Sequence, residues 1–205
     1  MAEYPNGQTI WNYLVDKLDN EYGAAGLMGN LYWESGLITY RVEGDFSAGY
    51  TISLEYTRKV DTGEIPESTF VSDAIGYGLA QWTYYTRKQG LYNMKETLGQ
   101  SIGSISVGLE YLWWELNNLP EFSIVLTTLK NATSIREASD IVLTRFENPA
   151  VQTEAVKIQR AATGVDIYNK YSGTGGAIIP YPVATKRRLK SAERFLVLST
   201  LFKRR

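Results

Sequence analysis

The 205-residue chain has neither cysteine nor histidine. Without cysteine there is no disulfide framework, no thiolate nucleophile and no sulfur ligand for a metal. Without histidine, Ser-His-Asp chemistry, histidine-bound metals and imidazole bases are excluded. Acid–base work therefore falls to carboxylates, tyrosine or lysine, and no metal or organic cofactor is expected. No apolar run reaches the ~20 residues needed to cross a bilayer. Met1-Ala2-Glu3-Tyr4-Pro5 lacks a basic n-region and an apolar h-region, so no secretory signal is expected.

What is present points to a soluble body with an appendage. Hydrophobic residues make up 44% and charged residues 21%, the balance of a globular domain. Of the 21 basic and 22 acidic side chains, eight basic and one acidic fall in residues 173–205. The first 172 residues are therefore strongly acidic, which argues against nucleic acid as a partner. Ser172-Gly173-Thr174-Gly175-Gly176 reads as a linker between domain 1–172 and tail 173–205. In the tail, Lys186, Arg187, Arg188, Lys190, Arg194, Lys203, Arg204 and Arg205 surround Leu189, Phe195, Leu196, Leu198, Leu201 and Phe202. Such a basic amphipathic segment suits a partner protein or an anionic surface. Five tryptophans and fifteen tyrosines supply platforms for sugar rings as well as core filler.

The body is organised around residues 23–36. Ala24, Leu27, Met28 and Leu31 recur at i, i+3, i+4, i+7, the stripe of a helix. Each internal glycine costs about 1 kcal/mol against alanine, so Gly23, Gly26 and Gly29 imply that another helix approaches closely. Gly36 supplies the left-handed residue that ends such a helix. Glu34 is thereby placed at the C-terminal end, beside Trp33. The negative pole of the helix dipole and a water-excluding indole both disfavour a carboxylate. A carboxylic acid kept protonated near neutral pH is what cleavage of a glycosidic bond requires. Taken alone, a helix-end glutamate is more often simply solvated.

Residues 8–19 predict a preceding helix. Residues 38–75 lose periodicity and read as an irregular insert; within it Ile52, Leu54 and Tyr56 alternate like a strand, while Ser53 as N-cap and Gly63 as C′ bracket a short helix, the reading favoured. A glycine-punctuated loop, 76–82, leads into helices over about 83–98, 106–118, 122–129, 134–147 and 152–171. Ser134-Ile135-Arg136-Glu137 forms a capping box. Glu147, before Pro149, ends a helix; its other reading is as a residue lining the site. The fold class expected is mainly α.

Glu34-Ser35-Gly36-Leu37 and, after an insert, Gly76-Tyr77-Gly78-Leu79-Ala80-Gln81-Trp82 carry a resemblance. So do Ile10-Trp11-Asn12-Tyr13-Leu14, the Arg87-Lys88 pair and Phe146-Glu147-Asn148-Pro149. In this order, from Ile10 to Tyr171, they resemble phage tail lysozymes, within the broader group of goose-type lysozymes and soluble lytic transglycosylases. The resemblance implies a lysozyme-like helical domain with one irregular insert. It implies peptidoglycan strands as substrate, cut between N-acetylmuramic acid and N-acetylglucosamine, with Glu34 as general acid. It places the protein on a virion tail or, after delivery, at the bacterial wall, where other tail proteins are partners for the basic segment. Asp73 precedes Gly78 by five residues, about where goose-type lysozymes carry an aspartate that positions the hydrolytic water; in its plainer reading it caps a loop. Gln81 stands where the wider motif has its glutamine, and Tyr77, Trp82 and Tyr85 are the aromatic candidates for substrate contact. Tyr168-Asn169 has the letters of the group's third motif but lies late in a helix, so no role is carried onto it. Two other readings remain open: a lytic transglycosylase giving 1,6-anhydro products, and a non-catalytic glycan-binding or structural tail module.

Overall fold

A computed structural model describes residues 4–173. The expected linker and tail lie outside the described residues, save Gly173. The described chain is mainly helical. It runs through α1 (Gly7–Leu18), α2 (Glu21–Ser35), α3 (Thr51–Thr62), α4 (Glu67–Ser72), α5 (Tyr85–Leu98), α6 (Ile105–Asn118), α7 (Ser123–Asn131), α8 (Ile135–Ile141) and α9 (Glu154–Tyr171). A π-helical turn, Val142–Glu147, prolongs α8.

Helix α2 is the axis of the molecule, packed by α1, α7, α8 and α9. The sequence suggests one apolar stripe, but every residue from Gly23 to Leu31 is buried, the pattern of a helix enclosed on all sides. Its N-terminus is fixed by Asn20, whose side chain accepts from the Gly23 N–H at 3.0 Å and donates to the carbonyls of Lys130 and Ala132. Gly36, at φ 69°, ends it as expected.

The internal glycines each admit a different neighbour. A Cβ at Gly23 would lie 2.1 Å from the Leu129 carbonyl oxygen on α7. At Gly26 it would lie 2.5 Å from the Ala138 Cβ on α8, and at Gly29 2.6 Å from the Arg160 carbonyl oxygen on α9. The α9 contact is reciprocal, because a Cβ at Gly164 would sit 2.8 Å from the Ala25 carbonyl oxygen.

The insert is more ordered than its composition suggests, since α3 and α4 both lie within it. Helix α3 starts at Thr51 rather than at a Ser53 cap; Gly63, φ 78°, ends it as expected. Ser53 is buried in the first turn, where its hydroxyl donates to Asp45 Oδ2 at 2.6 Å and accepts from the Val42 N–H at 2.9 Å. Burial pushes the Asp45 carboxyl up, but hydrogen bonds from the side chains and backbones of Ser47 and Ser53 outweigh it and bring the group down to about 2. Because its folded value is lowered, Asp45 supports the fold above its ordinary pKa, and that support is lost as pH falls toward 2. The capping box at α8 forms with a shift: Ser134 accepts from the Glu137 N–H, but Glu137 reaches back to the Thr133 N–H.

Helix propensity alone makes Gly29→Ala stabilising by about 1 kcal/mol. The contact with the α9 backbone reverses that sign. The substitution is expected to lower unfolding free energy by about 1–3 kcal/mol in urea titrations, as over-packing does. An unchanged or raised midpoint would show that α2 and α9 are not in backbone contact.

Candidate functional site

Glu34 leaves the last turn of α2 with 14% of its side chain exposed. Its Oε1 accepts from Arg160 Nη2 at 2.6 Å. The guanidinium is almost enclosed, at 4% exposure, and its Nη1 donates to Oδ1 and the backbone oxygen of Asn30 at 3.3 and 3.4 Å. Asn30 is itself held by its Nδ2, which donates to Gly26 O, Ser139 O and Ser139 Oγ. One turn along α9, Thr163 Oγ1 accepts from the Trp33 indole at 2.9 Å. Arg160 lies 126 residues from Glu34, and no local motif announces it. It puts a positive charge beside the carboxylate that the dipole-and-indole argument did not contain.

The π turn delivers a second carboxyl to this place. Asn148, left-handed at φ 45°, closes the turn with its N–H on Leu143 O. Glu147 is half-buried, yet its Oε1 is inaccessible and has no hydrogen-bond partner. Burial first, and then the charge of Glu34, push the Glu147 carboxyl well above the ordinary glutamate value; Arg87 and Arg160 pull the other way, and Glu115 adds to the rise. Glu147 thus sets a carboxyl with an unpartnered, enclosed oxygen close enough to Glu34 to feel its charge.

Glu115, fully enclosed on α6, completes the cluster. It accepts a two-pronged contact from Arg87 at 2.7 and 2.8 Å, the Trp82 indole N–H at 2.7 Å and the Tyr111 hydroxyl at 2.9 Å. Arg87 also lies over the rings of Phe146 and Phe122.

The remaining candidates divide. Tyr77 and Trp82, expected as sugar platforms, are both 0% exposed. Tyr77 shares a hydrogen bond with Thr57 Oγ1, Trp82 donates to Glu115, and backbone bonds between the two close the 76–82 loop. Their correct reading is as the inner face of the loop. Tyr85 is 56% exposed and its ring meets that of Tyr84, 62% exposed, at 4.7 Å. Gln81 is strained at φ 47° and spends its amide N–H groups on Arg41 O and Gly78 O.

Asp73 caps the end of α4. Lys88 Nζ and the Ile75 N–H meet its Oδ1, and the Tyr56 hydroxyl meets Oδ2. Lys88 is wholly enclosed; burial pushes its ammonium down, opposed by Asp73 and Glu43. The hydrogen-bond partners of Asp73 and of Glu34 share no residue. Glu43, unnoticed in the sequence, lies against the same loop, accepting from the Gly76 N–H at 2.9 Å. Among the described residues no group of three or more carboxylates is arranged to hold a metal ion, and no helix is long and apolar enough to cross a membrane.

A family model described as phage tail lysozyme matches residues 5–171, most of the chain. No curated protein matches.

The Arg87–Glu115 pair is inaccessible enough that removing one charge strands the other. Glu115→Gln is expected to cost about 3–5 kcal/mol of stability in chemical denaturation. A loss below about 1 kcal/mol would show that Arg87 finds another acceptor.

Proposed function

Because the chain belongs to the phage tail lysozyme family, we propose that it is a muramidase cutting the β-1,4 bond between N-acetylmuramic acid and N-acetylglucosamine. Family membership carries peptidoglycan lysis in general. The observation that supports them best is Glu34 itself. It is partly open at the end of the buried helix, with one carboxylate oxygen tied to a fixed guanidinium. A general acid has to combine such a fixed orientation with access to the leaving oxygen. In this reading Glu34 protonates the glycosidic oxygen as the bond breaks and the sugar acquires oxocarbenium character. The exposed Tyr84–Tyr85 pair is the proposed platform for sugar rings. Gln81, Tyr77 and Trp82 act one layer behind, holding the loop to α6 and the insert. A tail-borne lysozyme meets the wall from the particle, where its substrate is the intact glycan strand.

Asp73 is the proposed water-positioning carboxylate, which for inversion would stand ~6.5–9.5 Å from the acid. One observation favours the second reading, the transglycosylase route: three donors already occupy the two oxygens of Asp73. That route needs one acid only, the sugar's C6 hydroxyl being the nucleophile.

Glu34→Gln keeps the shape of the side chain and removes the proton. It is expected to cut lysis of purified peptidoglycan by at least ~10²-fold with an unchanged circular dichroism spectrum; residual activity above a hundredth of the parent's sinks the assignment. Mass spectrometry of the digest is expected to show reducing-end muramic acid, with Asp73→Asn reducing its formation by about two orders of magnitude. Anhydro ends, with cleavage surviving in the variant, would instead establish the transglycosylase route.

A further inference from the structure

Five ionisable side chains from α2, the π turn, α5, α6 and α9 meet at this site: Glu34, Glu147, Arg87, Glu115 and Arg160. Two guanidiniums face three carboxyls. Each guanidinium is already committed, Arg87 to Glu115 and Arg160 to Glu34, and Glu115 has further donors in Trp82 and Tyr111. Glu147 receives nothing on its enclosed Oε1. A buried charge without a partner is far costlier than a buried neutral acid. The cluster is electrically balanced when Glu147 alone keeps its proton.

This arrangement raises a chemical difficulty for the proposed reaction. A Glu34 carboxylate paired with Arg160 is not an acid and has to gain a proton before it can give one. We propose that Glu147 is the positioning residue that loads Glu34: it stores one proton on the inner side of the Glu34–Arg160 pair and yields it when substrate enters. The Glu147 O–H bond breaks, the Glu34 O–H bond forms, and the guanidinium of Arg160 passes from Glu34 to the new Glu147 carboxylate. Charge is conserved inside the cluster throughout. Glu34 then hands the proton to the glycosidic oxygen, and the proton released by the attacking hydroxyl returns to the pair. Burial and the charge of Glu34 push the Glu147 carboxyl well above its ordinary value. The geometry agrees: the π turn ends in a left-handed Asn148, and the Glu147 Oε1 it delivers is enclosed with no hydrogen-bond donor.

The inference rests on Glu34 being the acid, so its test needs an arm that does not. The full-length protein is assayed on soluble glycan fragments over the whole active pH range, beside Glu147→Gln and Glu147→Asp. Glu147→Gln is neutral and nearly the same shape, so a merely structural Glu147 is replaced without consequence for the pH profile. Loading predicts a kcat lower by about tenfold or more, KM within about twofold, and an alkaline limb moved by about one pH unit toward acid. Glu147→Asp restores the limb while kcat stays low. A Glu147→Gln profile superimposable on the parent's overturns the inference. Independently of activity, carboxyl ¹³C NMR of glutamate-labelled parent protein is expected to show one protonated glutamate at neutral pH. That signal is expected to be missing from Glu147→Gln and, should this variant not fold, from Glu147→Asp, in which position 147 carries no label. A parent spectrum with every glutamate ionised also overturns it. A parent protein that shows the protonated signal but cuts no glycan, even with Glu34 intact, sinks the muramidase reading and leaves the stored proton standing.

Discussion

The burial of one guanidinium organises this molecule. Removing an arginine head group from water costs several kcal/mol unless its donors are met. Arg160 meets its acceptors on a single helix: Asn30 through backbone and side chain, and Glu34 one turn on. That geometry is available only if α9 lies against α2 at backbone contact. Gly29 and Gly164 provide the contact, each occupying a place where a Cβ would overlap the other helix. The glycines, Asn30, Arg160 and Glu34 are therefore one device. Loosening any member strands a buried charge, and the orientation of Glu34 is lost with it.

Helix α5 ties the insert and the loop into the same body. Arg87 and Lys88 are consecutive, so their side chains leave the helix in different directions. Arg87 turns to Glu115, Phe122 and Phe146, joining α6 and the π turn. Lys88 turns to Asp73, Ile75 and Phe70, joining α4 and the start of the 76–82 loop. Trp82 closes the circuit by donating to the carboxylate that holds Arg87. The loop between the two networks is thus pinned from both sides, and the strain at Gln81 persists because its surroundings over-determine it.

What the sequence revealed and what it concealed follow from the range of the interactions. Helix α2, its stop at Gly36 and its demand for close neighbours were legible because helical period, left-handed caps and missing Cβ atoms are local signals. The position of Glu34 followed from them. Its partner was not legible: Arg160 resembles any arginine on an amphipathic helix until the fold sets it beside Asn30. Tyr77 and Trp82 misled for a different reason. A large aromatic residue in a glycine loop has the same letters whether it faces a ligand or the core, and only the acceptors Thr57 and Glu115 decide the side. Helix α3 was legible from its stop at Gly63, whereas α4 was hidden by Ser68, Thr69 and Ser72, residue types that usually favour turns and caps. In α3, Ser53 is drawn inside by Asp45, so tertiary contacts override composition.

Glu147 shows how a motif read as a helix stop acquires chemistry. Pro149 does end the helical run, as the sequence suggests, but it is preceded by bonds that run from i to i−5 rather than from i to i−4. Such a turn fits an extra residue into the helix and changes the direction in which its last side chain leaves. The last side chain is Glu147, near enough to Glu34 and Arg160 for their charges to act on it. An acidic residue at a helix C-terminus is unfavourable through the dipole, and one without a donor is more so. Burial and the charge of Glu34 push this carboxyl well above the ordinary glutamate value, which lowers the cost of leaving it without a donor. The pairing that fixes Glu34 in place thus leaves the enclosed Oε1 of Glu147 without a partner, and the same charge that holds Arg160 helps push that carboxyl up.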